Sequence, residues 1–137
     1  MFFEKYQKYG ATVVRVGISL VFLWFGTSQL LDPSFWIGFV PEYAKILPIT
    51  VTTLVFLNGL FEVIFGILLI LGLFTRISAI FLALHMAHII TVVGYNEIAV
   101  RDFGIFMGAL SVFFTGSDFF TLDYKFKTRS VDEINNN

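Results

Sequence analysis

The chain has 137 residues, of which 57% are hydrophobic and only 14% charged, with a mean hydropathy of +0.83; a soluble domain carries about 25% charged residues, so an ordinary soluble domain is excluded. A formal net charge of -1 gives no basic field and argues against a nucleic-acid partner. The absence of cysteine removes disulfides, thiolate metal sites, iron–sulfur clusters and thiol redox chemistry from this chain.

A hydrocarbon layer about 30 Å thick takes about 20 helical residues to cross. Four stretches meet that length, at 11–31, 51–73, 77–95 and 100–117, and they predict an all-α membrane protein built as an antiparallel bundle of four transmembrane helices. The first, ATVVRVGISLVFLWFGTSQLL, is longer than the apolar part of a signal peptide and is followed by no A-x-A-like cleavage site, so it reads as a retained span. It carries Arg15 within it and Gln29 at its far end. The segment that follows, DPSFWIGFVPEYAKILPIT, is broken by Pro33, Pro41 and Pro48. Phe35, Trp36, Phe39, Tyr43 and Ile46 along it suit a short helix resting in the membrane interface, either as an aromatic anchor or as a cap on the bundle mouth. The second and third spans are separated only by residues 74–76, with Thr75 and Arg76 as the polar connection, which predicts a tight helical hairpin and neighbouring helices. The last span is bounded by Arg101 and Asp102 at one end and Thr115 and Ser117 at the other. Residues 118–137 read as a tail whose charged, amide-rich end cannot bury a core and is expected to be disordered.

Lysine and arginine are retained on the cytoplasmic side of a membrane. Four spans place Lys5, Lys8, Arg76, Lys125, Lys127 and Arg129 on one side and Lys45 and Arg101 on the other. Both termini are therefore expected in the cytoplasm of a multi-pass protein, in the plasma membrane of a prokaryote.

Ionisable groups at membrane depth are costly and usually face the bundle interior. At a rise of about 1.5 Å per residue, Glu62 falls near the middle of the second span with Asn58 one turn away on the same face, and His85 falls near the middle of the third with His88 three residues on. Gln29, Arg101 and Asp102 enter the same outer half from the other two spans, while Arg15 falls about 9 Å to the inner side. Glu62 has three readings: a protonated carboxyl held by Asn58, half of an ion pair with Arg15 or Arg101, or a functional acid. His85 and His88 can carry protons near neutral pH; no second ligand pair at metal spacing accompanies them, so neither metal nor haem is expected. Trp24 and Gln29 suit packing and a helix end as well as ligand contact. Arg101 and Asp102 suit either a site or the start of a helix, and Arg15 a structural, snorkelling role. Gly104 and Gly108 form a GxxxG that serves packing within one bundle or a homodimer.

The order Arg15, LWFGTSQLLDP, GLFEVIFGILLILGLFTR, VRDFGIFMGALSVFF resembles the DoxX family of small four-helix membrane proteins, which includes DoxD-like subunits of thiosulfate:quinone oxidoreductase. The resemblance rests on E-x3-G-x-L-x3-G-L-x-T-R, from Glu62 through Gly66 and Gly72 to Arg76, and on R-D-x-G at Arg101, Asp102 and Gly104. It implies that Arg15, Glu62, Arg101 and Asp102 occupy the family's polar positions, and it links the chain to membrane redox complexes with soluble sulfur- or oxidant-handling partners; more distant relatives look like chaperones or assembly factors. The family often has a lysine where this chain has Gln29, which puts an anion-binding role of that position in question.

Two functions follow as expectations. In the first, the chain is a quinone-binding subunit of an oxidoreductase: Glu62, His85 and His88 handle protons, Asn58, Arg101, Asp102, Trp24 and Gln29 bind the ring, and a partner protein supplies electrons. In the second, the chain is a non-enzymatic scaffold, chaperone or assembly factor that binds lipid or another membrane protein through a polar cluster acting as glue.

Overall fold

The computed structural model describes residues 4–135. Among them the regular structure is helical: α1 (Glu4–Gln7), α2 (Gly10–Leu31), α3 (Pro33–Trp36), two 3₁₀ turns at Ile37–Phe39 and Glu42–Ile46, then α4 (Val51–Leu71), α5 (Thr75–Val93), α6 (Glu97–Thr115) and α7 (Leu122–Asn135). The helices α2, α4, α5 and α6 are long and apolar enough to cross a membrane, and they form an all-α bundle. Large apolar side chains such as Val13, Leu20, Ile64, Leu84 and Phe114 point outward. In lipid that is the favourable direction, because a helix satisfies its own backbone groups and its apolar surface meets hydrocarbon.

Small and polar residues face inward. On α2 the buried positions are Arg15, Ser19, Phe22, Gly26 and Gln29; on α4 they are Val55, Gly59, Glu62, Gly66 and Leu69. Both sets follow the alternating four- and three-residue steps of a helix seam. Helices α2 and α4 meet along it almost backbone to backbone: a Cβ at Gly26 would lie 2.7 Å from the carbonyl oxygen of Gly59, and one at Gly59 would lie 2.8 Å from that of Gly26. Close approach through glycine replaces the hydrophobic drive that lipid cannot supply. Helices α5 and α6 form the second close pair, with Ala79, Leu82, Ala83, Ala109 and Val112 buried. Gly108 of α6 packs inward, its Cβ position 2.5 Å from Ile18 Cδ1 of α2, whereas Gly104 has open space beside it. The GxxxG pair is thus split between bundle packing and the outer face.

The end of α4 and both ends of α5 and α6 lie two or three residues from the expected spans. Gly72 adopts a left-handed conformation (φ 67°) and ends α4 at Leu71, with the Leu73 amide donating to Leu68 O at 2.9 Å in a Schellman-type close. The turn is therefore Gly72–Leu73–Phe74, and Thr75 and Arg76, read from sequence as the connection, are the first residues of α5. Asn96 accepts the Ala99 amide through Oδ1 at 3.0 Å and starts α6 at Glu97, earlier than expected, as an N-cap. Gly94 and Gly116, both at positive φ, close α5 and α6.

The aromatic segment between α2 and α4 is not one helix. Its turns break at Val40 and Pro41, which are extended, because proline cannot donate a backbone hydrogen bond to continue a helix. The segment after α6 does not leave the bundle. Asp123 accepts the Phe74 and Thr75 amides at 2.9 and 2.7 Å and the Thr75 hydroxyl at 2.8 Å, so a residue remote in sequence caps α5. Helix α7 then runs to Asn135; Asn136 and Asn137, at the end expected to be disordered, lie outside the described residues.

Candidate functional site

The polar residues of the helices gather in two centres, with Arg15 apart from the rest. At the end carrying the termini, Arg15 is 2% exposed and pairs through Nε with Asp118 Oδ2 at 2.8 Å, while Nη1 donates to the carbonyls of Leu69 at 2.9 Å and Ile70 at 2.6 Å. Those carbonyls belong to the last turn of α4, at the negative end of its dipole, and Leu69 O also accepts the Gly72 amide at 3.1 Å. A buried cation is tolerated here because carboxylate and carbonyls together replace its water. Arg15 is thus held at this end of the bundle, and neither it nor Arg101 pairs with Glu62. Burial raises the Asp118 pKa, but the hydrogen bonds from Arg15 and the Phe120 amide, with the arginine charge, outweigh it and hold the carboxyl below its ordinary value.

The second centre surrounds Glu62, which is 2% exposed. Its Oε2 accepts Gln29 Nε2 at 3.0 Å; its Oε1 accepts Asn58 Nδ2 at 3.1 Å and lies 2.9 Å from His85 Nε2. Asn58 Nδ2 also donates to Gln29 Oε1 at 2.7 Å. Three helices thus close a ring of hydrogen bonds around one carboxyl. Gln29 reaches it because the Gly26–Gly59 contact sets the register: α2 ends beside the middle of α4, and the short aromatic turns take its place beyond. Phe61 packs on the His85 ring at 5.0 Å between centroids and on Phe65 at 4.6 Å.

This ring of polar groups bounds a cavity of about 490 Å³. Its wall comes from Phe22, Phe25, Leu54, Val55, Met86 and Ile89 on the helices and from Phe35, Trp36, Phe39 and Tyr43 on the connecting segment. The interfacial aromatics therefore do line the bundle mouth. Ile46, grouped with them by sequence, is 84% exposed and takes no part. Trp36 Nε1 donates to Ser28 Oγ at 3.2 Å, and the Tyr43 hydroxyl lies 2.8 Å from His88 Nε2, tying the segment to α2 and α5. The two histidines thus make different bonds, His85 inward to Glu62 and His88 outward to Tyr43.

Arg101 and Asp102 also line the cavity. Asp102 is buried and its Oδ1 accepts from Arg101 Nε and Nη2, both at 2.8 Å; the guanidinium, more than half exposed, lies over the Phe25 ring at 5.6 Å. Trp24 lines the same cavity while its ring is largely exposed on the bundle surface. Of the residues singled out in sequence, Asn58, Glu62, His85, His88, Arg101, Asp102, Trp24 and Gln29 border this one space, and Arg15 does not. Sequence reading missed Ser28 and Asp118. Ser28 is signalled only by its place beside Gln29, and Asp118 lies 103 residues from Arg15 beyond the last span.

Residues 10–95 match the family model for DoxX. The chain belongs to the DoxX family. An uncharacterized protein of Haemophilus influenzae strain Rd is 30% identical to it over 93 residues, covering 62% of this chain and 59% of that protein, so the chain spans about three fifths of the relative's length. No solved structure matches the chain.

Proposed function

We propose that this DoxX protein binds a lipid-soluble quinone and serves as the membrane subunit of an oxidoreductase of the thiosulfate:quinone type. The observation that carries the reading is the junction of an aromatic cavity with the ring of Gln29, Asn58, Glu62 and His85. A quinone needs a flat apolar slot for its ring and hydrogen-bonding groups at its carbonyl oxygens. Reduction of a quinone to its quinol takes two electrons and two protons. With no cysteine in the chain, the electrons come from a partner protein that oxidises a small sulfur compound. The protons pass through Glu62 and His85, whose contact at 2.9 Å is short enough for transfer; His88 and the Tyr43 hydroxyl sit nearer the mouth as a second exchange point.

Lys8, Arg76, Lys125, Lys127 and Arg129 gather at the end bearing the termini, which supports a cytoplasmic location for both ends in the plasma membrane of a prokaryote. Purified protein should bind a short-chain quinone saturably, and Glu62→Gln should lower the rate of quinone reduction, with the partner and its donor present, by about 100-fold, the lower range of general acid–base effects. A variant that keeps the wild-type rate would remove Glu62 from proton transfer.

One observation favours a second reading. Both oxygens of Glu62 already accept protein donors, as they would if the network were glue between helices in a scaffold or assembly factor. That reading predicts unchanged function in Glu62→Gln and stable co-purification of a membrane partner.

A further inference from the structure

The cavity is closed on most sides. Between α2 and α4 the glycine contact leaves no gap, and Leu23 fills the notch at Gly66. Between α4 and α5 a column of rings fills the seam: Phe65 lies 4.6 Å from Phe61 and 5.2 Å from Phe81. Toward the end bearing the termini, Phe22 and Ser19 are fully buried and the Arg15–Asp118 pair blocks the way. The aromatic turns, tied down by Tyr43–His88 and Trp36–Ser28, cover the opposite end.

The seam between α2 and α6 is different. There the half-exposed Arg101 of α6 lies over Phe25 of α2 and both line the cavity, as does Trp24, which packs on Phe25 and is 64% exposed. A shallow groove of about 260 Å³ starts at the same two residues, Trp24 and Phe25, and continues one turn along α2 to Leu20 and Val21. Its lining is apolar throughout, and it lies on the outer surface of the bundle. Phe25 packs edge-on to both Trp24 and Trp36, at 5.0 and 5.7 Å, so a single aromatic stack joins the cavity wall to the groove.

We infer that the ligand is an amphiphile whose ring enters sideways from the membrane between α2 and α6, and whose long hydrocarbon tail lies in the Leu20–Phe25 groove while the ring occupies the cavity. This rests on the quinone reading and adds the route and the seat of the tail. The direction suits the chemistry. Moving from Arg101 and Phe25 to Leu20 leads away from the polar end of α6 toward the middle of the helices, where a tail meets hydrocarbon. A small soluble ligand would have no use for the groove.

The test is photolabelling of the full chain in vesicles with a short benzoquinone analogue carrying a diazirine in its tail about six carbons from the ring. Adducts are mapped by mass spectrometry with and without an excess of the same ring lacking a tail. Labelling of the Leu20–Phe25 stretch that the tail-less ring competes away is the expected result, and Val21→Trp, at a position that lines the groove but not the cavity, should move or abolish it while the tail-less ring still binds. Competed labelling on the aromatic turns, α4 or α5 would overturn the tail route and leave the cavity reading standing. Labelling that no excess of ring displaces would overturn both.

Discussion

A carboxyl at membrane depth needs partners that replace water, because desolvation disfavours its charged form. Glu62 has them from three helices, and each removal has a distinct consequence. In Gln29→Leu, Glu62 Oε2 loses its donor, and Asn58 loses an acceptor; unfolding stability should fall by about 1–3 kcal/mol, the cost of a buried polar group left unpaired, read from thermal melting in detergent. His85→Gln should keep the fold and slow proton-coupled turnover, since an amide can hydrogen-bond to Glu62 Oε1 but cannot carry a proton near neutral pH. A variant with wild-type turnover would take His85 out of the proton path. At the other centre, the folded carboxyl of Asp118 titrates below its unfolded value. Its stabilising contribution is therefore complete above the unfolded carboxylate pKa and disappears as pH falls through the lowered folded value. Asp118→Asn should lower stability at neutral pH by about 3–5 kcal/mol, the range for breaking a buried ion pair, and should flatten the acid limb of the stability profile; an unchanged acid limb would contradict the pairing.

Helix ends carry the second set of dependencies. The carbonyls of Leu69 and Ile70 at the end of α4 are satisfied by Arg15 of α2, and the amides of Phe74 and Thr75 at the start of α5 by Asp123 of α7. The helical hairpin is therefore held by groups from the first and last parts of the chain. Asp123→Ala should destabilise by about 0.5–2 kcal/mol, as loss of an N-cap does, and should expose the segment from residue 116 onward to protease. If cleavage there matches wild type, the docking of this segment does not depend on the cap. The span lengths and the inward polar positions were legible in sequence, because hydrocarbon thickness and the cost of buried charge restrict both so tightly. The long-range partners were not: Asp118 pairs with Arg15 across 103 residues and Asp123 with Thr75 across 48, which spacing along a helix does not encode.

For the molecule as a whole, two close helix pairs, α2 with α4 and α5 with α6, face each other and leave a cavity where α2 stops short and the aromatic turns take over. The sequence foretold which residues approach this space, yet not that Gln29 would reach Glu62, because that register follows from the Gly26–Gly59 contact rather than from depth counted along each helix. Nor did it separate His88 from His85, whose i, i+3 spacing suggested one shared face. The cavity itself supplies the most direct test of its occupant. Both tryptophans of the chain, Trp24 and Trp36, line it, and a quinone is an efficient quencher of indole fluorescence, so titrating the purified protein with a short-chain quinone reports on this space and on the groove that shares Trp24. Saturable quenching that approaches completion, and that becomes weaker when Glu62→Leu removes the hydrogen-bonding carboxyl, is the expected result. Quenching that rises without saturation, at the same slope as a free tryptophan derivative in the same detergent, would show that the cavity binds no quinone and would contradict the account.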